Sequence, residues 1–301
     1  MTGVRSRPFL SMLTFLLLGL TLPARAVDLN VIIDAVKQAF FSSDIKQEQE
    51  IGYAAASTLL GASRPIANPA VQQYVNKVGM WIALQSERPD LHWQFAVVDS
   101  DDIDAFAAPA GYVFITRGLL LHLNNEAELA GVLGHEISHV VLKHHLKALQ
   151  SAARATLAGQ AASYKMARNG QNSMVFDQAS LAARNLYSKG LDKSDEYAAD
   201  RAGVVLAARA GYDPYGLMAV LQTLEGLDPK SSSMQLLLAT HPAPQDRVAA
   251  LAKIQGSIDP YAGDAEGAER FQEAIRQLAP TASSGMAPVA AATSKAPAGS
   301  H

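Results

Sequence analysis

Apolar residues along most of the chain recur three and four positions apart, which is the spacing of amphipathic helices. This pattern runs through residues 28–60 and begins again at Asn68, a capping residue followed by a proline in the first turn. A further helix begins at Asn125 and continues through 130–149. From 152 to 278 nearly every segment has helical spacing, so we expect a mainly helical domain.

One region of the chain has strand character instead. Three short segments are rich in β-branched and aromatic residues or are bounded by turn signals, namely 92–98, 104–109 and 112–116. Ala110-Gly111 separates the last two segments and predicts a turn between them. The sequence therefore predicts an α+β fold in which a small sheet is surrounded by helices.

Composition excludes several classes of protein. The 301 residues are 49% hydrophobic and 18% charged, which is typical of a globular chain rather than a disordered or polytopic membrane protein. A formal net charge of -3 gives no reason to expect nucleic acid as a partner. The chain has no cysteine, so disulfides, thiolate metal sites and a lipidated cysteine are excluded. Any metal must be bound by His, Asp or Glu.

The two ends of the chain differ from its centre. Residues 1–26 combine arginines, an apolar stretch and a small-residue ending, which predicts a cleaved signal peptide and a periplasmic protein. An uncleaved membrane tether is the alternative, but 14 apolar residues span about 21 Å of a hydrocarbon core of roughly 30 Å. Residues 281–301 are mostly Ala, Pro, Ser, Gly and Thr and predict a disordered tail. The domain then covers 27–280, without stable membrane insertion.

The helix that begins at Asn125 carries two histidines with a glutamate between them. His135 and His139 are four residues apart, so both imidazoles lie on one helix face and can reach one ion. Glu136 lies close enough to polarise a water on that ion. The other side chains of this helix are strongly apolar, and buried polar groups are costly unless they have partners.

A catalytic zinc needs a third protein ligand and an open position. The best candidate is Glu196, which shares a helix face with Asp200. Asp200 could then accept a hydrogen bond from a metal-bound imidazole and fix its tautomer. The alternative is that both acids belong to a solvated helix face with Arg201.

The chain resembles metallopeptidase family forty-eight, the zinc gluzincins that include HtpX and the CAAX prenyl endopeptidases. Within the family it is most similar to soluble periplasmic members of the β-barrel assembly-enhancing kind, without a helical-repeat domain. The resemblance covers roughly residues 45–255 and rests on four motifs, which are 104–107 with 111–120, 134–139, 196–203, and 240–242 followed by Arg247. It implies a zincin-like fold with an active-site helix. One zinc would be bound by His135, His139 and Glu196, with Glu136 as general base and Asp200 behind the ligands.

The resemblance also implies a mechanism. Zinc lowers the pKa of its water from about 15.7 towards 7, and Glu136 takes the proton as that water attacks a peptide carbonyl. His241 is the candidate donor to the oxyanion, or else a fourth zinc ligand that latches the site. Asp104, where the family often has Asn, joins Tyr112 and Arg247 as candidate substrate or loop residues. If the strand 112–116 lies at a sheet edge, it would pair with an extended substrate.

The leading hypothesis is a zinc endopeptidase that degrades unfolded or misassembled envelope proteins, with the outer-membrane assembly machinery as a further partner. The alternative is a chaperone-like binding protein whose zinc site is structural or latched. His144 and His145 follow the motif next to lysines, and we expect them on a solvated helix end.

Overall fold

The computed structural model of the protein describes residues 45–152, 186–187, 189–263 and 266–278. The predicted signal peptide, the predicted tail and the part of the first helical segment before residue 45 lie outside the described residues. The described part is mainly helical with one small sheet, so the predicted α+β class is confirmed.

The helices are named here in chain order. They are α1 (Ile45–Ala62), α2 (Pro69–Ala83), α3 (Arg117–His122), α4 (Glu126–Val141), α5 (Lys193–Arg209), α6 (Gly216–Glu225), α7 (Ser232–Thr240), α8 (Pro244–Ala252), α9 (Gln255–Ile258) and α10 (Ala268–Ile275). Single 3-10 turns lie at Pro109–Gly111, Asp259–Tyr261 and Arg276–Leu278. Both predicted caps are confirmed, because Asn68 accepts from the N–H of Val71 at 3.2 Å and Asn125 from that of Glu128 at 2.8 Å.

The sheet has three strands, β1 (Gln94–Val98), β2 (Ala105–Ala108) and β3 (Tyr112–Thr116), in the spatial order β1-β3-β2. The turn at Pro109–Gly111 makes β2 and β3 an antiparallel pair, and β1 lies parallel to β3 on its other side. All three strands were predicted. However, β3 is the central strand, so the expectation that 112–116 lies at the edge is wrong; β1 and β2 are the two edge strands.

The helix predicted through residue 149 ends earlier. α4 ends at Val141, and Lys143 then adopts a positive φ of 60°. A non-glycine residue rarely adopts this left-handed conformation, which ends the helix and turns the chain. A second helical segment begins at His144 and runs through the described residues to 152. The chain after residue 143 therefore runs in a different direction from a continuous helix.

The helix α4 is buried along its length and packs against α5 through two glycines. A Cβ built on Gly134 would lie 2.7 Å from the carbonyl oxygen of Gly203, and one on Gly203 would lie 2.6 Å from the nitrogen of His135. Only glycines allow the backbones to approach so closely. This crossing brings the His135 end of α4 to the first turns of α5. In the described parts of the chain, none of the helices is long and apolar enough to cross a membrane.

Candidate metal centre

Three of the predicted site residues meet at the crossing of α4 and α5. One ligand atom each from His135, His139 and Glu196 lies within 4.8 Å of the other two, and all three side chains are buried. The two Nε2 atoms are 3.0 Å apart, and the carboxylate oxygens of Glu196 lie 3.7 Å from His135 Nε2 and 3.5 Å from His139 Nε2. The local geometry follows from sequence, because residues four apart share a helix face and a carboxylate is favoured in the first turn of a helix.

This donor set fits a zinc ion. Ligands placed about 2.0–2.1 Å from a tetrahedral ion lie about 3.3 Å from one another, which is close to the three separations found here. Two imidazole nitrogens and one carboxylate oxygen also leave a fourth position open, as in catalytic zinc sites. We therefore treat these three side chains as the candidate ligands, which is the set that the sequence predicts.

The second nitrogen of His135 is held by a buried ion pair. Its Nδ1 lies 2.8 Å from Oδ1 of Asp200, and Arg247 donates to the same carboxylate from Nε at 3.0 Å and Nη2 at 2.5 Å. Burial opposes ionisation of Asp200, but the charge of Arg247 and the contact with His135 lower the pKa of this carboxyl well below its ordinary range. The ionised carboxylate only accepts, so the proton of His135 lies on Nδ1 and the lone pair of Nε2 faces the other ligands.

Arg247, a candidate substrate or loop residue, contacts the Asp200 carboxylate behind the candidate ligands. Its guanidinium is buried and engaged with Asp200, and Nη2 also lies 3.3 Å from Nδ1 of His135. The sequence shows that Arg247 follows His241, but it does not show that Asp200 is its partner. The packing of α8 on α5 brings these two side chains together.

His241 lies beside Glu196 at the end of α7. Its Nδ1 is 2.6 Å from Oε2 of Glu196, and its Nε2 is 3.7 Å from Oδ1 of Asp104. Burial lowers the pKa of the imidazole, but Glu196 and Asp104 outweigh burial and raise that pKa to about 10. In turn, burial raises the pKa of Glu196, and the charge and hydrogen bond of His241 lower it to about 2. His241 and Asp104 thus both lie at the rim of the candidate centre.

Glu136 is buried on α4 and lines the same cleft. Burial raises the pKa of its carboxyl to about 8; the charge of His241 opposes this rise, and those of Glu196 and Asp104 add to it. A carboxyl group with a pKa near neutral can both take and return a proton, which is the property expected of a general base.

The cleft over the candidate ligands has apolar walls and one strand edge. Apolar side chains from several elements line it, namely Leu59, Phe106, Leu186, Leu191 and Leu236. The backbone N–H of Thr116 donates to the backbone carbonyl of Asp104 at 3.0 Å. Hydrogen-bonded pairs alternate along an antiparallel ladder, so the backbone groups of Ala105 and Ala107 point away from β3. The Tyr187 hydroxyl donates to the Ala107 carbonyl at 3.0 Å, which confirms that direction.

Tyr112 is absent from the lining of this cleft. It belongs to the central strand and packs with the hydrophobic cluster of Ala108, Phe114 and α1. The prediction of Tyr112 as a substrate residue depended on an edge position for its strand, and β3 lies at the centre of the sheet instead.

The prediction for His144 and His145 is also wrong, because both imidazoles are buried. The turn at Lys143 directs them back towards the candidate ligands, and Nδ1 of His144 lies 3.0 Å from Nδ1 of His139. Sequence reasoning missed this contact because it assumed one continuous helix. A lysine gives no signal for a left-handed conformation.

Comparison with known proteins gives a consistent result. The family model described as peptidase family M48 matches residues 69–255. The β-barrel assembly-enhancing protease of Escherichia coli (strain K12) is 30% identical over 236 residues, covering 77% of this chain and 48% of that protein. The mitochondrial metalloendopeptidase OMA1 of Arabidopsis thaliana is 30% identical over 171 residues, covering 57% of this chain and 33% of that protein. The chain thus spans about half the length of the first of these relatives and about a third of the second.

Proposed function

The chain belongs to peptidase family M48, and we propose that it is a zinc-dependent endopeptidase acting on unfolded or misassembled proteins of the bacterial envelope. One observation carries the proposal. The Nε2 atoms of His135 and His139 lie 3.0 Å apart in a buried site, with the Glu196 carboxylate beside both. Two imidazole nitrogens and one carboxylate are the ligand set of a catalytic zinc site.

His135, His139 and Glu196 would hold one zinc ion per chain, and Asp200 would orient His135 from behind. When bound, zinc supplies Lewis-acid chemistry that brings the pKa of water from about 15.7 towards 7. Glu136 is the general base, because its carboxyl lines the cleft and its pKa is raised to about 8. It takes the proton of the attacking water and passes it to the leaving amine.

The edge of β2 is the proposed site for the substrate backbone. The backbone groups of Ala105 and Ala107 face away from β3, where the Ala105 N–H donates to Asp104 Oδ1 and the Ala107 carbonyl accepts from Tyr187, so a substrate strand would replace these two partners. The neighbouring Phe106 contributes to the apolar lining of the cleft. Pairing of an extended peptide with a strand edge uses main-chain hydrogen bonds and depends little on sequence. That mode of binding suits unfolded chains, and Asp104 lies next to this edge.

His241 has two candidate roles. It would donate to the oxyanion of the reaction, or it would occupy the fourth position of the metal as a latch. Its contact with Glu196 at 2.6 Å supports a place next to the metal in either role. His241→Ala separates the two, because loss of a donor lowers basal proteolysis by about 100-fold, whereas loss of a latch raises it.

The cellular setting is proposed from the N-terminal segment and from the relatives. A cleaved signal peptide at 1–26 would direct the domain 27–280 to the periplasm. The name of the bacterial relative, β-barrel assembly-enhancing protease, supports the outer-membrane assembly machinery as a partner. N-terminal sequencing of the mature protein tests cleavage after Ala26, and an intact N-terminus would instead indicate a membrane tether.

The decisive experiment measures zinc content by elemental analysis together with casein cleavage, with and without a chelator. We expect Glu136→Gln to retain zinc and to lose on the order of 1000-fold in turnover. Glu128→Gln is the matched control, since Glu128 is also buried on α4 but accepts from Asn124 at the other end. The alternative outcome is a wild-type protein that binds unfolded chains but does not cleave casein. If Glu136→Gln binds those chains equally well, the protein is chaperone-like.

A further inference from the structure

The two histidines of the candidate centre are supported by different groups behind the site. His135 is backed by the carboxylate of Asp200, whereas His139 is backed by another imidazole. The Nδ1 atoms of His139 and His144 are 3.0 Å apart, and their rings are nearly perpendicular at 75°. Both side chains are buried, so this contact is not exchanged with solvent.

Counting protons gives the contact a direction. A neutral imidazole carries one N–H, and a metal on Nε2 of His139 places that proton on Nδ1. With zinc bound, His139 would donate to Nδ1 of His144, which would accept and carry its own proton on Nε2. That nitrogen faces Asp195, whose carboxylate oxygen is 3.5 Å away in the first turn of α5.

From this geometry we propose that His144 is the positioning residue of the zinc ligand His139, fixing its ring and tautomer through Nδ1 with Asp195 behind it. The inference rests on the proposed function and assigns a role to the outer contacts of the same centre. Partners of this kind orient metal-bound imidazoles and increase their basicity.

The positioning depends on the turn at Lys143. In a continuous helix, residues five apart lie about 140° round the axis from each other, so His144 could not reach the inner face of His139. The positive φ of Lys143 breaks the helix and returns the chain beneath the ligand. The local backbone strain thus has a consequence for the site, which is the contact between the two Nδ1 atoms.

The two supports also differ in what they permit. Asp200 can only accept, so His135 keeps its proton on Nδ1 whether or not zinc is bound. The Nδ1 of His144 can accept or donate, so His139 is free to change tautomer when zinc is removed. We expect zinc removal to change the tautomer of His139 and to leave that of His135 unchanged.

The test measures zinc affinity of the full chain by chelator competition. His144→Phe keeps the ring volume but removes the acceptor, and we expect zinc to bind about 10- to 100-fold more weakly. His144→Asn places an amide oxygen near the position of Nδ1, so its affinity should stay within about threefold of wild type. The matched control is His145→Phe, since His145 is equally close to His139 at 5.2 Å between ring centroids but stacks on Tyr187.

Nitrogen-15 spectra of the imidazoles provide a second readout that needs no substitution. In the zinc-loaded wild-type chain, the proton of His139 should lie on Nδ1 and that of His144 on Nε2. Two results would overturn the positioning role while the peptidase proposal stands. One is a His144 protonated on Nδ1, and the other is equal zinc affinity in the His144→Phe and His145→Phe variants. A wild-type chain that binds no zinc would overturn both.

Discussion

The two ends of α4 each bury a cluster of polar side chains, and the clusters differ in the balance of donors and acceptors. At the N-terminal end, Glu126 accepts from the hydroxyls of Tyr74 and Tyr212 and from two nitrogens of Arg270, each at 2.6 Å. Burial alone would raise the pKa of Glu126, but these hydrogen bonds outweigh burial and lower it. Every acceptor there has a donor, and the charge is paired.

At the other end, acceptors converge instead. The lone pair of His135 Nε2 faces His139 and Glu196 within a few ångströms. Two cations border this cluster: Arg247 lies behind Asp200 and not among the ligands, and His241 contacts Glu196 from the rim. A buried cluster that saturates its own hydrogen bonds stabilises a fold, whereas one with convergent acceptors is built for a cation.

The largest effect should follow from removing the carboxylate behind His135. Asp200→Asn leaves the buried Arg247 without its counter-charge, which we expect to cost about 3–5 kcal/mol in the free energy of unfolding. Zinc affinity should fall by about 10- to 100-fold, because the tautomer of His135 is no longer fixed. Chemical denaturation with a chelator present measures the first quantity, and competition for zinc the second.

The control for Asp200→Asn is an exposed pair. Glu87→Gln breaks the contact with Arg209 at the surface, where we expect less than about 1 kcal/mol. Equal losses in the two variants would contradict the importance of burial at Asp200.

The matching change at the N-terminal end is Glu126→Gln. It replaces the acceptor of two tyrosines and an arginine, so we expect a loss of about 2 kcal/mol in the free energy of unfolding. Zinc affinity should not change, since the side chain lies far along α4 from the ligands. Weaker zinc binding in this variant would show that the two ends of α4 are coupled.

Two glycines, one near each end of α4, lie directly against a neighbouring backbone. A Cβ at Gly203 would lie 2.6 Å from the nitrogen of His135, and one at Gly216 would lie 2.2 Å from the carbonyl oxygen of Ala127 at the other end. Alanine at either position should cost about 1–3 kcal/mol through overpacking. Only Gly203→Ala should weaken zinc binding, by about tenfold. Gly61→Ala, where no atom lies within 4 Å of the added Cβ, controls for the substitution itself.

The smallest expected effect concerns the free energy of unfolding at acidic pH. Because the folded-state pKa of Glu126 lies below its unfolded value, its contribution is complete above about pH 4.3 and is lost as the pH falls through the folded-state pKa. Unfolding free energies measured from about pH 7 to about pH 3 should therefore decline less steeply in Glu126→Gln than in wild type. Parallel declines would show that this carboxyl does not contribute to acid sensitivity.

Local sequence signals predicted most of the secondary structure. Capping residues such as Asn68 and Asn125 act within one turn of their own helix, and the three strand segments were bounded by turn residues next to them. The order of the strands was not predictable in the same way. Three short apolar strands contain no signal for which of them lies at the centre, because that depends on how helices cover the sheet.

A spacing of four residues has the same geometry in any α-helix, so the sequence alone places His135 and His139 on one helix face. It also indicated Glu196 and Asp200 through the same spacing. Three other features follow from packing: Arg247 pairs with Asp200, β2 forms the edge of the cleft, and His144 lies behind His139. These contacts depend on the crossing at Gly134 and Gly203 and on the turn at Lys143. Such features depend on packing between segments that are distant in the chain, and local sequence patterns do not predict that packing.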